Sequence, residues 1–271
     1  MGNQLMKVLR EIESKTDFDA RFYRKSTLER RLNIRLKATN SKTYKNYLEY
    51  LKKDASEYLR FLETLTINIS DFFRDKHIFQ TLKRKILPEL LATIKAKKQK
   101  RIRIWSIGCA KGQEPYSLAM LSWELLNSHL QEFQISILAT DLNKTILTKA
   151  KQGIYSQSEV KNVSQDYLHR YFQPTNGNYQ LKDKVKKLVK FRQHDLIKGK
   201  PPGKFHLILC RNLFIFFEPQ LQEKMLKKLH SSLKKDGLLV LGTAETPKDD
   251  RLFLHYLTKD HIYRRREINN L

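Results

Sequence analysis

From Ile102 onward, short β-rich runs alternate with helical stripes, and this alternation limits the possible folds more than any other feature of the chain. The run Ile102-Arg103-Ile104-Trp105-Ser106-Ile107 stops at Gly108, and Ile135-Ser136-Ile137-Leu138-Ala139-Thr140 stops at Asp141. Phe205-His206-Leu207-Ile208-Leu209-Cys210 and Leu238-Leu239-Val240-Leu241 are two more such runs. Between them Leu118, Leu121 and Leu125 recur at helical spacing, as do Ile146, Leu147 and Ala150, with Gly153 placed as a C-terminal cap. Leu221, Met225, Leu229 and Leu233 mark a third helix, stopped by Asp236-Gly237. Strands that alternate with helices across short connections form a parallel, doubly wound α/β sheet with right-handed crossovers. Leu252–Leu257 and His261–Arg265 read as a closing antiparallel hairpin. The segment around Tyr179-Gln180-Leu181 and Val185 to Phe191, preceded by the turn signal Asn176-Gly177-Asn178, breaks the alternation. It predicts a small antiparallel β insertion over about 174–193.

Residues 1–70 carry no strand-like alternation. Leu5, Val8, Leu9 and Ile12, then Leu28, Leu32 and Leu36, then Tyr44, Tyr47, Leu48 and Leu51, then Tyr58, Phe61, Leu62 and Leu65 predict an all-α subdomain, with breaks near residues 17–19, 39–41 and 53–54. A long helix follows on the stripe Ile78, Phe79, Leu82, Ile86, Leu90 and Ile94, with Pro88 as a candidate kink. The expected division is thus a basic helical subdomain over 1–70 and an α/β domain over 71–271.

Lysine and arginine number 53 against 28 acids, a formal charge of +25. Such a surplus favours an acidic partner, whether nucleic acid, anionic lipid or an acidic protein surface. Two cysteines, Cys109 and Cys210, are too few for a disulfide scaffold. Met1 to Lys7 lacks the apolar stretch of a secretory signal, and no run is long enough to span a bilayer. A cytoplasmic protein without membrane insertion is expected. The histidines are scattered and no metal site is expected.

Ligands of open α/β sheets bind beyond the carboxyl ends of the strands. There the chain places Gly108-Cys109-Ala110-Lys111-Gly112, whose small residues let backbone approach a ligand, and Asp141, an acid able to accept both hydroxyls of a ribose. The pair suggests adenosine binding and leaves a dinucleotide and S-adenosylmethionine equally open.

Longer strings separate these. Gly108-Cys109-Ala110-Lys111-Gly112-Gln113-Glu114-Pro115-Tyr116-Ser117-Leu118-Ala119 resembles the first motif of CheR-type methyltransferases. Four further strings resemble the same family in the same order: Asn68-x-Ser70-x-Phe72-Phe73-Arg74, Ala139-Thr140-Asp141, Cys210-Arg211-Asn212-Leu213-x-Ile215, and Leu241-Gly242-Thr243-Ala244-Glu245. The resemblance covers nearly the whole chain. It implies a Rossmann-like methyltransferase sheet using S-adenosylmethionine and releasing S-adenosylhomocysteine. The substrates it implies are glutamate side chains on the cytoplasmic domain of methyl-accepting chemotaxis receptors. By matching positions, Asn68, Ser70, Arg74, Gly108, Glu114, Asp141, Asp195, Leu196, Arg211 and Asn212 would bind the donor, and Arg74 would also act at the reacting centre. Phe216 stands where the family usually has a tyrosine near that centre. Arg30, Arg31 and Arg35 would dock the acidic receptor helices, and the β insertion resembles a subdomain that some members use to grip a receptor tail, here with a short turn. A monomer without nucleic-acid binding is expected.

Lys111 replaces a small hydroxyl residue, Gln113 an acid and Asp195 an asparagine of the family pattern. Two other readings compete. The charge admits an RNA or DNA methyltransferase, but Arg211-Asn212-Leu213-Phe214 holds the place where base-amine methylation uses Asn/Asp-Pro-Pro-Tyr/Phe. Phe216, lacking a hydroxyl, admits a donor-binding module with little turnover.

Overall fold

The computed structural model describes residues 2–16, 18–65, 70–126, 132–247 and 250–267. Asn68, and Asp17 of the first predicted break, lie outside them. The chain divides into two units. The first comprises residues 1–67 together with Phe214–Gln222, and the second the rest. A single cut near residue 70 therefore misses a return of the chain to the helical unit at Phe214–Gln222.

Among the described residues, four helices build the first unit: α1 (Gly2–Lys15), α2 (Lys25–Ala38), α3 (Tyr44–Lys53) and α4 (Ser56–Leu65). Thr43 caps α3 by accepting from the Asn46 N–H. The apolar stripes meet in one core that includes Val8, Ile12, Leu32, Tyr47, Leu51 and Phe61. Inside it lies Glu57, fully buried. Arg35 pairs with it through Nε–Oε1 at 2.7 Å and Nη2–Oε2 at 2.8 Å, and the Tyr47 hydroxyl donates to Oε1 at 2.8 Å. A buried carboxylate needs that degree of pairing. The returning segment is bound through backbone: Arg24 N–H donates to the Phe216 carbonyl at 3.0 Å and Glu218 N–H to the Phe22 carbonyl at 3.1 Å.

The second unit opens with α5 (Lys76–Thr81), a π turn over Leu82–Ile86, and α6 (Leu87–Ala96). Pro88 has no N–H and would crowd the carbonyl four residues back in a regular helix. The wider turn, with Leu87 N–H bonded to the Leu82 carbonyl, accommodates it without interrupting the buried stripe.

Among the described residues, ten strands follow with five more helices. Seven strands form the main sheet: β1 (Arg101–Ile107), β2 (Gln134–Asp141), β6 (Val189–Gln193), β7 (Phe205–Cys210), β8 (Leu233–Leu241), β9 (Phe253–Leu257) and β10 (Ile262–Arg265). Their order is β6-β2-β1-β7-β8-β10-β9. The first five run parallel, while β10 pairs antiparallel with β8 and with β9. The helices are α7 (Gln113–Leu126), α8 (Lys144–Gln152), α9 (Gln165–Tyr171), α10 (Asp183–Lys186) and α11 (Pro219–Ser232). Every residue of β7 is buried, as expected of a strand covered on both faces. The order reverses at β1, whose neighbours are β2 and β7, and ligands of such sheets bind beyond the carboxyl ends at that point.

A second, three-stranded sheet has the order β3-β5-β4, with β3 (Ile154–Tyr155), β4 (Phe172–Thr175) and β5 (Asn178–Leu181), all antiparallel. The insertion predicted over 174–193 is thus corrected at both ends. It recruits Ile154–Tyr155 and Phe172 upstream. Val185 lies in α10, and Val189–Gln193 is the parallel edge strand of the main sheet beside β2. Val189 and Phe191 alternate as strand residues do, and a period of two cannot say which sheet a strand joins. The strand predicted from Leu238 also begins earlier. It opens at Leu233 and passes through Asp236, which takes a left-handed φ of +62°.

Candidate active site

The first turn beyond β1 needs left-handed backbone at three positions: Gly108 (φ +66°), Ala110 (φ +48°) and Gly112 (φ +91°). A Cβ on Gly112 would meet Phe191 and Tyr116 at 3.1 Å, so both φ and packing require glycine there. Asp141, at the end of β2 and 6% exposed, holds this turn from the side. Its Oδ2 accepts from Ala110 N–H at 2.9 Å and its Oδ1 from Asn143 N–H at 3.0 Å. Asn143 is the cap of α8, so Asp141 is not that cap. Burial pushes the Asp141 carboxyl above its ordinary value, partly offset by the backbone N–H groups it accepts from. Lys111, unusual for the family pattern, pairs with Glu159 at 2.6 Å, and its carbonyl accepts from the Tyr155 hydroxyl at 2.8 Å.

Beyond β7, the Arg211 side chain is 2% exposed and serves as a hub. Its Nη1 donates to Glu114 Oε2 at 3.1 Å, and its Nη2 to Asp75 Oδ2 at 2.5 Å and to the Arg74 carbonyl at 3.0 Å. Its guanidinium also lies 5.6 Å from the Phe79 ring centre. The other Glu114 oxygen accepts from Ser106 Oγ at 2.8 Å. One arginine thus fastens the start of α7 to the segment before α5. That segment is further fixed by Phe73 N–H donating to Ser117 Oγ at 3.0 Å and by the fully buried Phe72. Phe73 and Asp75 take left-handed φ values of +52° and +57°, conformations that these anchors sustain. Ser70 and Arg74 are half-buried, and among the described residues the Arg74 guanidinium has no hydrogen-bond or ionic partner.

Asn212, at φ +58°, is held by a residue that the sequence reading did not place in the site. Buried Glu245 accepts through Oε2 from Asn212 N–H at 2.8 Å and from Gly242 N–H at 2.7 Å. A Cβ on Gly242 would come within 2.8 Å of the Asn212 nitrogen and 2.7 Å of that carboxylate oxygen. The string Leu241 to Glu245 was the available signal, but nothing in it distinguishes a pinning carboxylate from an exposed one. Beyond β6, Asp195 Oδ1 accepts from Ile197 and Lys198 N–H at 2.7 and 3.0 Å, while Leu196 is buried. Lys228 Nζ donates to the carbonyls of Leu196, Ile197 and Gly199 at 2.6, 2.8 and 2.9 Å, closing that loop. Lys228 was also missed, because a lysine on a helix ordinarily reads as solvated surface.

The second unit therefore gathers Ser70, Arg74, Gly108, Glu114, Asp141, Asp195, Leu196, Arg211 and Asn212 on segments at or leading to the carboxyl ends of its strands. Phe216 belongs to the first unit, buried in a short 3-10 turn. On α2, Arg30 is exposed. Arg31 is half-buried with Nε and Nη2 lacking partners, and Arg35 is taken up by Glu57. Among the described residues no cluster of histidine, cysteine, aspartate or glutamate could hold a metal ion, and no helix is long and apolar enough to cross a membrane.

Comparison with known proteins agrees with this layout. Residues 68–261 match the family model for the CheR methyltransferase SAM-binding domain, and residues 3–66 match that for the CheR methyltransferase all-alpha domain. A chemotaxis protein methyltransferase of Borreliella burgdorferi is 34% identical over 233 residues, covering 84% of this chain and 82% of its own. One from Listeria monocytogenes is 32% identical over 236 residues, covering 87% of each. Chemotaxis protein methyltransferase 1 of Pseudomonas aeruginosa is 37% identical over 189 residues, covering 68% of each. With both of its domains matched in order across almost its full length, the chain belongs to the CheR family of S-adenosylmethionine-dependent methyltransferases.

Proposed function

We propose that this methyltransferase esterifies glutamate side chains on the cytoplasmic domain of methyl-accepting chemotaxis receptors, acting as a cytoplasmic monomer. The observation that carries the donor half is the pairing of buried Asp141 with the three-way left-handed turn at Gly108 to Gly112. The residues suit S-adenosylmethionine. The Asp141 carboxylate accepts from the backbone N–H groups of Ala110 and Asn143, with Leu142 N–H also nearby, and four lone-pair sites on its two oxygens leave acceptor capacity for a ribose hydroxyl. The place of a Cβ on Gly108 has nothing nearer than Leu213 Cδ1 at 3.9 Å, so the backbone is open to close approach. The Arg74 guanidinium, without a partner among the described residues, suits a carboxylate.

The donor, when bound, supplies an electrophilic sulfonium methyl. A receptor glutamate is ionised near neutral pH and needs no general base to attack it. What remains for the chain is alignment and the exclusion of water. The Arg211 hub fixes Glu114 and the Arg74 backbone in one frame, and Glu245 fixes Asn212. Arg74 is then free to pair either the donor's carboxylate or the substrate's. Replacing it by alanine removes a charge-assisted pair worth about 1.5–3 kcal/mol, so methyl transfer is expected to fall roughly ten- to a hundredfold with the melting temperature unchanged. A weaker S-adenosylhomocysteine affinity in that variant would assign Arg74 to the donor. A raised receptor KM alone would assign it to the substrate. Near-normal turnover would remove it from both roles.

The receptor half rests on the named relatives and on the basic α2. Among the described residues, Arg30, Arg31 and Lys37 are the cations on it not paired with a carboxylate, and Arg30 and Arg31 would meet the acidic helices. The β4–β5 hairpin closes through Asn176 and Gly177, both at positive φ, and Thr175 pairs directly with Asn178. So short a turn offers little grip for a receptor tail peptide. A tail peptide added in excess is expected to leave receptor methylation within about twofold of its rate without peptide, an effect under 0.5 kcal/mol. Strong competition by the peptide would overturn that expectation. The test of the whole reading is transfer of labelled methyl to receptor fragments, with total RNA as the competing acceptor. Label on RNA instead of protein would favour the reading that the surplus charge suggests.

A further inference from the structure

At the edge of the main sheet opposite the carboxyl ends lies a cleft of about 530 Å³ between α6, the start of β7, the first half of β8 and the end of β10. Six cations line it, Lys97, Lys204, Lys234, Lys235, Arg264 and Arg265, against two acids, Glu89 and Asp236, a balance of +4. Both acids have partners: Asp236 pairs with Lys97 at 3.3 Å, and Glu89 accepts from the Tyr256 hydroxyl at 2.6 Å. Lys235 is taken by Glu267 at 2.8 Å, Lys204 by the Ser231 carbonyl at 2.5 Å and Arg265 by the His230 carbonyl at 3.3 Å. Among the described residues, Lys204, Lys234, Arg264 and Arg265 have no carboxylate, and Lys234 and Arg264 have no carbonyl partner either. The Arg264 guanidinium lies 4.2 Å from the Tyr256 ring centre, and its buried Nε is without an acceptor.

A third donor lines the same cleft. His206 is 7% exposed, and its Nδ1 accepts from Arg103 N–H at 2.9 Å. That bond makes Nδ1 the acceptor, so the proton of the neutral ring sits on Nε2. Nε2 is buried and, among the described residues, has no acceptor. Burial, with Lys234, Arg103 and Lys97 nearby, pushes this imidazole down to about 4, so it is a neutral N–H donor at physiological pH. Buried donors without acceptors are rare and costly. A buried imidazole N–H and two unmatched cations in a cleft of small-molecule size ask for one kind of ligand, an oxyanion with several charges.

We infer that this cleft is a binding site for a soluble di- or triphosphate-bearing small molecule, held by Lys234 and Arg264 with His206 as the neutral donor. Nothing in the methyl-transfer reading uses these residues.

Calorimetric titration of the full chain with inorganic pyrophosphate, at near-physiological ionic strength, tests it. Saturable one-to-one binding is expected. Lys234→Gln and Arg264→Gln should each weaken it about tenfold, the loss of one charge-assisted contact. The charge-matched control Lys45→Gln/Lys52→Gln, on exposed positions of α3, should leave it unchanged. His206→Gln retains one donor and one acceptor and should bind better than His206→Leu. Should either histidine variant fail to fold, the two cation variants still decide the matter. Non-saturable binding, or binding weakened equally by the α3 control, would overturn the site as general charge attraction. Recruitment to phosphatidylglycerol vesicles that excess pyrophosphate does not reverse would overturn it in favour of a membrane surface.

Discussion

An Arg211→Met protein is expected to lose about 3–5 kcal/mol of stability in its larger unit and to bind S-adenosylhomocysteine at least tenfold more weakly. Methionine matches much of the arginine stem but leaves the partly buried Glu114 and Asp75 carboxylates without the cation that pairs them, and the Arg74 carbonyl without its donor. Removing one partner of a buried pair costs more than the pair itself contributes, because the remaining charge stays desolvated. Two acids are left uncompensated here, so the effect sits at the upper end for a single substitution. The affinity loss follows because the hub holds α7 and the segment before α5 in one geometry. Urea unfolding and calorimetry on the same sample measure both parts. Unchanged stability would mean that the Arg211 cluster is solvated and does not fasten these elements.

Asp141→Asn should abolish donor binding, with a loss of at least a hundredfold. The change is isosteric but not conservative. Both carboxylate oxygens accept from backbone N–H groups, so either orientation of the amide sets an NH2 against the N–H of Ala110 or of Asn143. The Gly108 to Gly112 turn then loses its lateral anchor, and the ribose loses one of its two acceptors. Two charge-assisted contacts at about 1.5–3 kcal/mol each account for the hundredfold estimate. The same carboxylate gives a pH signature. Its pKa lies above the ordinary aspartate value because it is buried, and the proposed ribose contacts would be strongest to the ionised form. Donor affinity should therefore hold at neutral pH and fall on acidification, starting at a higher pH than an exposed aspartate would give. Retained affinity in the asparagine variant would place the ribose elsewhere.

Much of this was legible in the chain because each parallel strand announces its end. Ile107 runs into Gly108, Thr140 into Asp141 and Cys210 into Arg211, and in a doubly wound sheet those ends are where chemistry assembles. What the sequence could not supply was pairing between distant side chains. Arg35 lies on a basic helix and reads as a docking residue, yet its partner Glu57 stands 22 residues away on α4. Half-buried Asp75 and buried Glu245 sit next to motif residues and carry no local mark of being the acids that pin Arg211 and the Asn212 backbone. Val189 to Gln193 alternates as a strand should, but its sheet is decided by β2, about fifty residues upstream, and not by the hairpin beside it. Phe214–Gln222 follows directly on a motif of the α/β unit and still packs with the helical one, through backbone bonds to Phe22 and Arg24 that no periodicity encodes.

A methyl group passed from S-adenosylmethionine to a receptor carboxylate forms an ester. Incubating the chain with methyl-tritiated donor and a purified receptor signalling fragment, then treating the protein with alkali, reads this directly. Tritium is expected on the fragment and released by alkali as volatile methanol, absent when the acceptor glutamates are changed to alanine and absent with Asp141→Asn enzyme. Alkali-stable label, label on nucleic acid, or equal labelling by the Asp141 variant would contradict it.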